Sequence, residues 1–382
     1  MKYNRSVKCY YEKWIMPSKL KQLYGFMAEY HNIVTMNISD YEIDILGGKR
    51  KFDLVKMSNK TQSWFTARAK QVVMAETYDL ISGTNKSCKA LKQPYVTPKH
   101  NENRFVLSEQ IVKINCNPNL KDFDLLVELN CFDSRKRGVK IAIPLKKNRV
   151  FNKWNNLGKL AKSIILTDKY IQFSFECEKS KRKEGDILGI DPGAVNLLTD
   201  SNGKHYGNAN KNLLTKLKRK GRKSKAWNKC KKEIKYYINK TCKELPFKQL
   251  QLICLEDNSN IKRNSKVKGR LTKNMRSFLD GWTSGVLDKR VEMLCEENGV
   301  SLRRVAPFNN SRTCPVCGCI KKENRCSQDV FRCQSCGHTD NADKVGALNT
   351  LGRFSLGKYG SEFKGKFFEK HPDYFCSLDK FQ

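Results

Sequence analysis

Acid is the first thing this chain is short of. Among 382 residues there are 38 Asp plus Glu against 74 Lys plus Arg, a formal net charge of +36. Self-repulsion on that scale costs stability, and a polyanionic partner relieves it. The basic excess recurs along the whole chain and is not confined to one tail, so nucleic acid fits better than an anionic membrane surface. Long apolar runs are absent as well. None approaches the ~20 residues that span a bilayer, and no lipidation signal is present. Met1-Lys2-Tyr3-Asn4-Arg5 lacks the apolar segment of a secretory leader. Nor is there a disulfide framework: twelve of the 16 cysteines follow no regular spacing, and a chain of this size needs no such staples. These absences predict a reducing, cytoplasmic setting in which most cysteines are small core residues.

What is present suffices for two or three domains. Residues 1–12 alternate weakly as one strand, and the pattern is helical from about Lys19 to Val34 and from Ser63 to Leu80. In the second stretch Trp64, Ala67, Val72, Ala75 and Tyr78 are spaced to share a broad face. From Phe105 to Glu176 the period is two: Phe123, Leu125, Val127 and Leu129 alternate with polar residues, as do Ile171, Phe173 and Phe175. The charged break Lys179-Ser180-Lys181-Arg182-Lys183-Glu184-Gly185 then marks the main domain boundary. The first half reads as a basic, β-rich scaffold interrupted by a helical insert, without a catalytic motif.

After the break, the apolar run Ile187-Leu188-Gly189-Ile190 predicts a short buried strand with Asp191 at its end, where Pro192 and Gly193 turn the chain. Asp-Pro-Gly is more often a plain turn, so this carboxylate needs partners to mean more. Leu197-Leu198-Thr199 and Lys204-His205-Tyr206 flank Asp200-Ser201-Asn202-Gly203, a hairpin turn, which makes three antiparallel strands. Residues 211–245 carry 14 Lys or Arg and two acids, Glu233 and Glu244, with Leu214, Leu217, Trp227, Ile234, Tyr237 and Ile238 at roughly helical spacing and Gly221 as a break. A long solvated helix is the plain reading. Its charge favours phosphate contacts instead, with Lys216, Lys218, Arg219, Lys220, Arg222, Lys223, Lys225, Lys229, Lys231 and Lys232 as candidates. Leu250-Gln251-Leu252-Ile253-Cys254-Leu255 is a further apolar strand, and it ends in Glu256 and Asp257. Residues 258–279 hold seven basic residues and no acid, and Arg270 among them joins the candidate nucleic-acid contacts. A helix with Leu279, Trp282, Val286, Leu287, Val291 and Leu294 on one side stops at Gly299, and Val300–Val305 is a strand.

Cys314-Pro-Val-Cys317 and Cys333-Gln-Ser-Cys336 are two Cys-x2-Cys knuckles separated by 15 residues, each followed by a glycine, Gly318 and Gly337. Tight turns of this kind aim backbone amides at thiolates and let one tetrahedral zinc join both knuckles. Paired disulfides conflict with the expected compartment, and Cys319, Cys326 and His338 break the symmetric spacing. Four cysteines leave no open coordination position, so the ion is expected to be structural. Lys321, Lys322 and Arg325 make this ribbon basic.

Immediately afterwards, Ala342, Gly346, Ala347 and Asn349 are small residues suited to a helix that approaches a sheet closely, and Asp343 lies in its first turn, where a carboxylate suits the helix dipole. Asp340 reads as the N-cap. The order is then three strands, helix, strand, helix, strand, ribbon, helix. It is the order by which an RNase H-like α/β fold brings Asp191, Glu256 and Asp343 to one sheet edge. Three carboxylates that close require a counterion. Two Mg²⁺ ions ~4 Å apart, or Mn²⁺ in their place, would neutralise them and activate water for phosphodiester hydrolysis.

Gly189-Ile190-Asp191-Pro192-Gly193, Leu255-Glu256-Asp257, the two cysteine knuckles and Asn341-Ala342-Asp343-x2-Gly346-Ala347-x-Asn349 resemble the TnpB/OrfB family of transposon-encoded RNA-guided nucleases, relatives of the miniature type V CRISPR effectors. Ala306-Pro307 and Ser311-Arg312-Thr313-Cys314 resemble the family's approach to its ribbon. The resemblance is specific from about 186 to 353, and one departure is Lys344-Val345-Gly346 where many members have Val-Asn-Ala. It implies that Asp191, Glu256 and Asp343 are the RuvC carboxylates and that Cys314, Cys317, Cys333 and Cys336 hold zinc. It further implies a guide RNA, double-stranded target DNA cut beside a short flanking motif, and association with the nucleoid when bound to DNA. The corresponding layout is a wedge-like β-domain at 1–17 and 96–185 with a helical recognition insert at 18–95. A RuvC-like domain follows at 186–311 and 339–353, with a zinc ribbon that contacts target nucleic acid at 312–338 and a poorly ordered tail at 354–382. Two other readings are set against it: an RNA-guided DNA-binding repressor without cleavage, and a transposase acting directly on DNA ends.

Overall fold

The computed structural model describes residues 1–11, 15–130, 140–193, 196–257, 284–305, 307 and 309–355. The basic stretch 258–279 with Arg270, the helix positions Leu279 and Trp282, Ala306, and the tail beyond Ser355 lie outside the described residues. The chain divides into two compact units, residues 2–178 and, with Met1, residues 179 onward.

The first unit runs β1 (Lys2–Tyr10), α1 (Pro17–Leu46), α2 (Lys51–Met57), α3 (Ala67–Ala90), β2 (Phe105–Leu107), β3 (Val112–Asn115), β4 (Leu125–Leu129), β5 (Ile141–Leu145), α4 (Arg149–Leu157), β6 (Gly158–Leu166) and β7 (Tyr170–Glu178). One antiparallel sheet has the order β1-β7-β6-β2, and a second has the order β3-β4-β5. The period-two alternation sends Val7, Cys9, Ile171, Phe173 and Phe175 into one core.

Two helices, α1 and α3, are longer than their periodicity predicts, and α2 and α4 lie outside the stretches of helical period. Thr66 accepts a hydrogen bond from the Ala69 amide (3.2 Å), so α3 starts after Trp64. Ala67 is therefore exposed at the helix start, and Ala69, Val72, Val73, Thr77 and Ile81 form the buried face instead. Helix α4 interrupts the strand-rich region because Asn148 accepts from the Phe151 amide (2.9 Å). That turn sets the Phe151 ring against Phe173 and Phe175, at centroid distances of 5.4 and 5.1 Å.

The second unit runs β8 (Asp186–Pro192), β9 (Leu198–Asp200), β10 (His205–Tyr206), α5 (Asn210–Lys218), α6 (Lys225–Thr241), β11 (Leu250–Glu256), α7 (Ser284–Asn298), β12 (Ser301–Val305), β13 (Val330–Arg332), β14 (Thr339–Asn341) and α8 (Ala342–Ser355). Its main sheet has the order β10-β9-β8-β11-β12. β8 pairs with β9 antiparallel, and β8, β11 and β12 are mutually parallel. Parallel neighbours need crossover connections; helices α5 and α6 lie between β10 and β11, and α7 lies between β11 and β12. Leu188, Ile190, Ile253 and Leu255 of the strands share a core with Ile234 and Ile238 of α6 and Val291 and Leu294 of α7.

The basic stretch 211–245 breaks around Gly221 as expected, with α5 ending at Lys218 and α6 starting at Lys225. Lys223 takes a left-handed φ of 65°, and Ser224 restarts the chain as N-cap by accepting from the Trp227 amide (3.1 Å). Among the described residues no helix is long and apolar enough to cross a membrane.

Candidate active site

The two cysteine knuckles close on one another. The Sγ atoms of Cys314, Cys317, Cys333 and Cys336 all lie within 4.8 Å of each other. Cys314 and Cys336 are 3.7 Å apart, and Cys317 and Cys333 are 3.5 Å apart. A tetrahedral ion with bonds of about 2.3 Å separates its sulfurs by roughly 3.8 Å, so the four thiols match a zinc site. Val316 N–H points at the Cys314 sulfur (3.4 Å) and Ser335 N–H at the Cys333 sulfur (3.4 Å). Gly318 and Gly337 supply the left-handed turns, with φ of 73° and 74°. Cys326 turns instead to the Glu323 carbonyl. None of the 14 described cysteines is in a disulfide, and Cys9, Cys177, Cys230, Cys242, Cys254 and Cys295 are buried.

The three acids arrive by a different route. Asp191 lies on β8 one residue past Ile190, the last residue to pair with β11, and Glu256 is the last residue of β11. Because these strands are parallel neighbours, both carboxylates belong to the same sheet edge. Helix α8 begins at that edge with Asp343 in its first turn. Small residues permit this approach. A Cβ on Gly189 would collide with the Ala347 carbonyl and lie 2.8 Å from Leu351 Cβ, and one on Gly346 would lie 2.7 Å from Asp191 Oδ2. The expected N-cap is corrected: Asp340 pairs within the β13–β14 ribbon, and Asn341 Oδ1 accepts from the amides of Asp343 (3.0 Å) and Lys344 (3.1 Å).

Charge in this corner is out of balance. Loss of water around the Asp191 carboxyl, and then the charges of Glu256 and Asp343, push its pKa well above the usual carboxylate range; Arg325 pulls the other way. Arg325 lies 3.4 Å from Asp343 Oδ1, and its guanidinium donates to the carbonyls of Ser327 (3.3 Å) and Gln328 (2.9 Å). Asn196 Nδ2 donates to Asp343 Oδ2 (3.5 Å), and Asn310 Nδ2 donates to Glu256 Oε1 (2.9 Å). Sequence reasoning counted Arg325 only as ribbon charge and passed over Asn196 and Asn310. Their partners are 147, 54 and 18 positions away, and no spacing rule links them.

The basic candidates Lys216, Lys218, Arg219, Lys220, Arg222, Lys223, Lys225, Lys229 and Lys232 are exposed on α5, α6 and the turn between them. Lys231 is half-buried, its ammonium 4.7 Å from the Trp227 ring centroid, and Lys216 pairs with Glu233 at 2.7 Å. These elements lead from β10 to β11 and do not carry the acids.

Residues 285–350 match the family model described as the Cas12f1-like TNB domain. The chain is 31% identical over 220 residues to the putative RNA-guided DNA endonuclease InsQ of Escherichia coli K12, covering 48% of this chain and 53% of that protein. It is 29% identical over 122 residues to the TnpB-like protein MJ0751 of Methanocaldococcus jannaschii, covering 31% and 42%. It is also 36% identical over 72 residues to the CRISPR-associated endodeoxyribonuclease Cas12f1 of Sulfoacidibacillus thermotolerans, covering 19% and 17%. The chain thus spans about half or less of the length of the curated relatives it matches. Two solved structures share the fold. The Cas12f1–sgRNA–target DNA complex gives a TM-score of 0.56 at 18% identity, over 88% of this chain and 83% of that one. The mini-RNA-guided endonuclease Cas_phi3 gives 0.55 at 11% identity, over 91% and 92%. By sequence this chain is similar to the TnpB-like and Cas12f1 proteins, as its motifs imply.

Proposed function

We propose that this chain is a TnpB-like, RNA-guided endodeoxyribonuclease with a RuvC-like centre formed by Asp191, Glu256 and Asp343. One observation carries the reading: two parallel strand ends and a helix start bring three carboxylates to one corner, where burial and then the charges of Glu256 and Asp343 raise Asp191. A fold does not normally hold such an arrangement unless a cation completes it. The carboxylate oxygens suit Mg²⁺ or Mn²⁺, which when bound supply an activated water and stabilise the leaving oxygen of a phosphodiester.

The chain's own residues do the rest. Asp191 and Glu256, fixed at rigid strand ends, set where the cations sit, and Asp343 closes the site from the helix. Arg325 holds Asp343 in place and tempers the repulsion. The cysteine cluster holds one structural zinc, so that the ribbon presents Arg325 to the acids. The exposed lysines and arginines of α5 and α6 track the phosphates of guide RNA or target DNA, and the first unit acts as the wedge and recognition part. Base pairing then reads the sequence, while protein reads a short flanking motif.

The test is plasmid cleavage by the chain with RNA from its own flanking locus, against a library with a randomised flank. Depletion of one flanking motif by the wild type and not by Asp191→Ala is the expected result. RNA co-purifying without depletion by either protein would replace cleavage with occupancy. Strand-transfer products from DNA ends without RNA would replace it with transposition.

A further inference from the structure

Asn310 stands at the crossing of everything that builds the acidic corner. It opens the short 3-10 turn Asn310–Arg312, four residues before Cys314, and is 3% exposed. Its Nδ2 donates to Glu256 Oε1 (2.9 Å) and to Thr350 Oγ1 (3.2 Å). Thr350 sends its own hydroxyl hydrogen to the Gly346 carbonyl (2.9 Å), so toward Asn310 it offers a lone pair. Carboxylate and hydroxyl are thus both acceptors, and only one orientation of the amide serves them; the flipped amide would set oxygen against oxygen twice. The orientation has a cost, because Asn310 Oδ1 is buried with no hydrogen-bond partner among the described residues. The backbone of the same residue is held by the catalytic helix: Asn349 Nδ2 donates to the carbonyls of Asn310 (2.7 Å) and Thr313 (2.9 Å). One side chain therefore ties β11, α8 and the approach to the zinc ribbon together, and it does so by a hydrogen bond to a carboxylate of the acidic corner.

We propose that Asn310 is the positioning residue that fixes the orientation of the Glu256 carboxylate for the divalent metal. The inference rests on reading Asp191, Glu256 and Asp343 as that metal's site. Without Asn310 the Glu256 side chain keeps its place on the strand but loses the donor that sets the plane of its carboxylate. Outer partners of metal-binding carboxylates typically change affinity or activity by about 10–100-fold.

The experiment titrates Mn²⁺ into the RNA-free full chain by calorimetry, with bound zinc measured in parallel. Asn310→Leu keeps the side chain's branching and number of heavy atoms, though not its volume, and removes its donors. It is expected to weaken Mn²⁺ binding about 10–100-fold while one zinc per chain is retained, with Asn310→Ser, which returns one hydroxyl donor, in between. On a Glu256→Ala background, Asn310→Leu should weaken Mn²⁺ no further, because the group that it orients has gone. An equal loss on that background would make Asn310 a packing residue and overturn the proposal, as would wild-type affinity in Asn310→Leu. If Asn310→Leu loses zinc, Asn310→Ser with and without Glu256→Ala makes the same comparison. Asp191→Asn separates the two failures. If it too binds Mn²⁺ like the wild type, the metal reading of the acids falls and takes this proposal with it; if it loses binding while Asn310→Leu does not, only the role of Asn310 falls.

Discussion

The cysteine cluster and the carboxylate cluster of the second unit are built on opposite plans. The cysteines come from one short stretch, Cys314 to Cys336, and their sulfurs all lie within 4.8 Å of each other with backbone amides already aimed at Cys314 and Cys333. The carboxylates come from Asp191, Glu256 and Asp343, which meet only because two parallel strands and a helix end at one edge. Among the described residues the cysteines are the one set whose ligand atoms all lie within 4.8 Å of each other. On the proposed reading the first cluster depends on a metal, since so small a ribbon has little else to hold it. The second is made by the fold, in spite of the charge gathered there. Replacing one ligand residue should therefore have opposite effects on stability at the two sites.

The largest expected effect tests the carboxylates. Asp191→Asn should lower cleavage by roughly a thousandfold or more and yet raise the melting temperature of the metal-free chain. The sign follows from linkage. Burial and its neighbours raise the folded-state pKa of Asp191, so its ionised form costs stability above the usual carboxylate pKa. That cost shrinks as pH falls below the raised value and is gone only at the ordinary carboxylate pKa. Metal-free wild type should accordingly gain stability on mild acidification, while its Mn²⁺ affinity drops as a proton competes for the site; Asp191→Asn should lack the first trend. Thermal melts over pH with chelator present read both. A lower melting temperature for Asp191→Asn would mean that the three acids do not strain the fold.

Next comes zinc. Cys333→Ser, or stripping the ion, removes an apparent stabilisation of roughly 10 kcal/mol. Limited proteolysis of the full chain should then cut between residues 314 and 336, and cleavage should fall because Arg325 is no longer presented to Asp343. Intact resistance after zinc loss would put the ribbon's stability in its small core of Phe331, Ala342 and Val345 and erase the contrast between the two sites.

The same contrast explains what could be read in advance. Knuckle spacing and two trailing glycines announce a zinc site because all of its geometry is local. An apolar run ending in Asp191 and another ending in Glu256 announce strand tips, and the small residues at 342, 346 and 347 announce a helix laid close on a sheet. The groups that hold the acids in place left no such trace. Asn310, Asn196 and Arg325 are ordinary residues of turns and ribbon until the fold brings them to carboxylates far away in sequence. Capping was misread for a related reason. Asp340 and Asn341 are both good N-cap residues and both pair with β13, and only their side-chain partners decide between them. Asp340 pairs with Lys344, while Asn341 takes the amides of Asp343 and Lys344. Helix α4 was missed because its nine residues sit within a long period-two pattern, with Asn148 as the sole start signal.

Gly346 offers a finer cut. A Cβ there would lie 2.7 Å from Asp191 Oδ2, and Asp191 has a rigid strand behind it. Gly346→Ala should leave zinc content unchanged and cost about a hundredfold in cleavage, the order expected when a reacting group is displaced by about an ångström. Helix propensity by itself favours alanine, so a variant more active than wild type would show that the helix has room to spare at the carboxylates.

The smallest effect concerns the basic helices, where neither spacing nor topology singles out any one residue. Exchange of Lys220, Lys223, Lys225 and Lys229 for glutamine removes four exposed charges from the α5–α6 turn and the start of α6. If each meets a duplex phosphate, the slope of log affinity against log salt should shrink by about 3 to 4, since each contact contributes about 0.9. At a single low salt concentration the loss could pass for a general weakening, so the slope is the measurement to make. An unchanged slope would return α5 and α6 to a solvated face and leave the +36 of the chain to be neutralised elsewhere. A reduced slope with cleavage intact at low salt would separate the residues that hold nucleic acid from those that cut it, which is the division the two clusters already suggest: charge spread over a surface binds, and charge forced into a corner reacts.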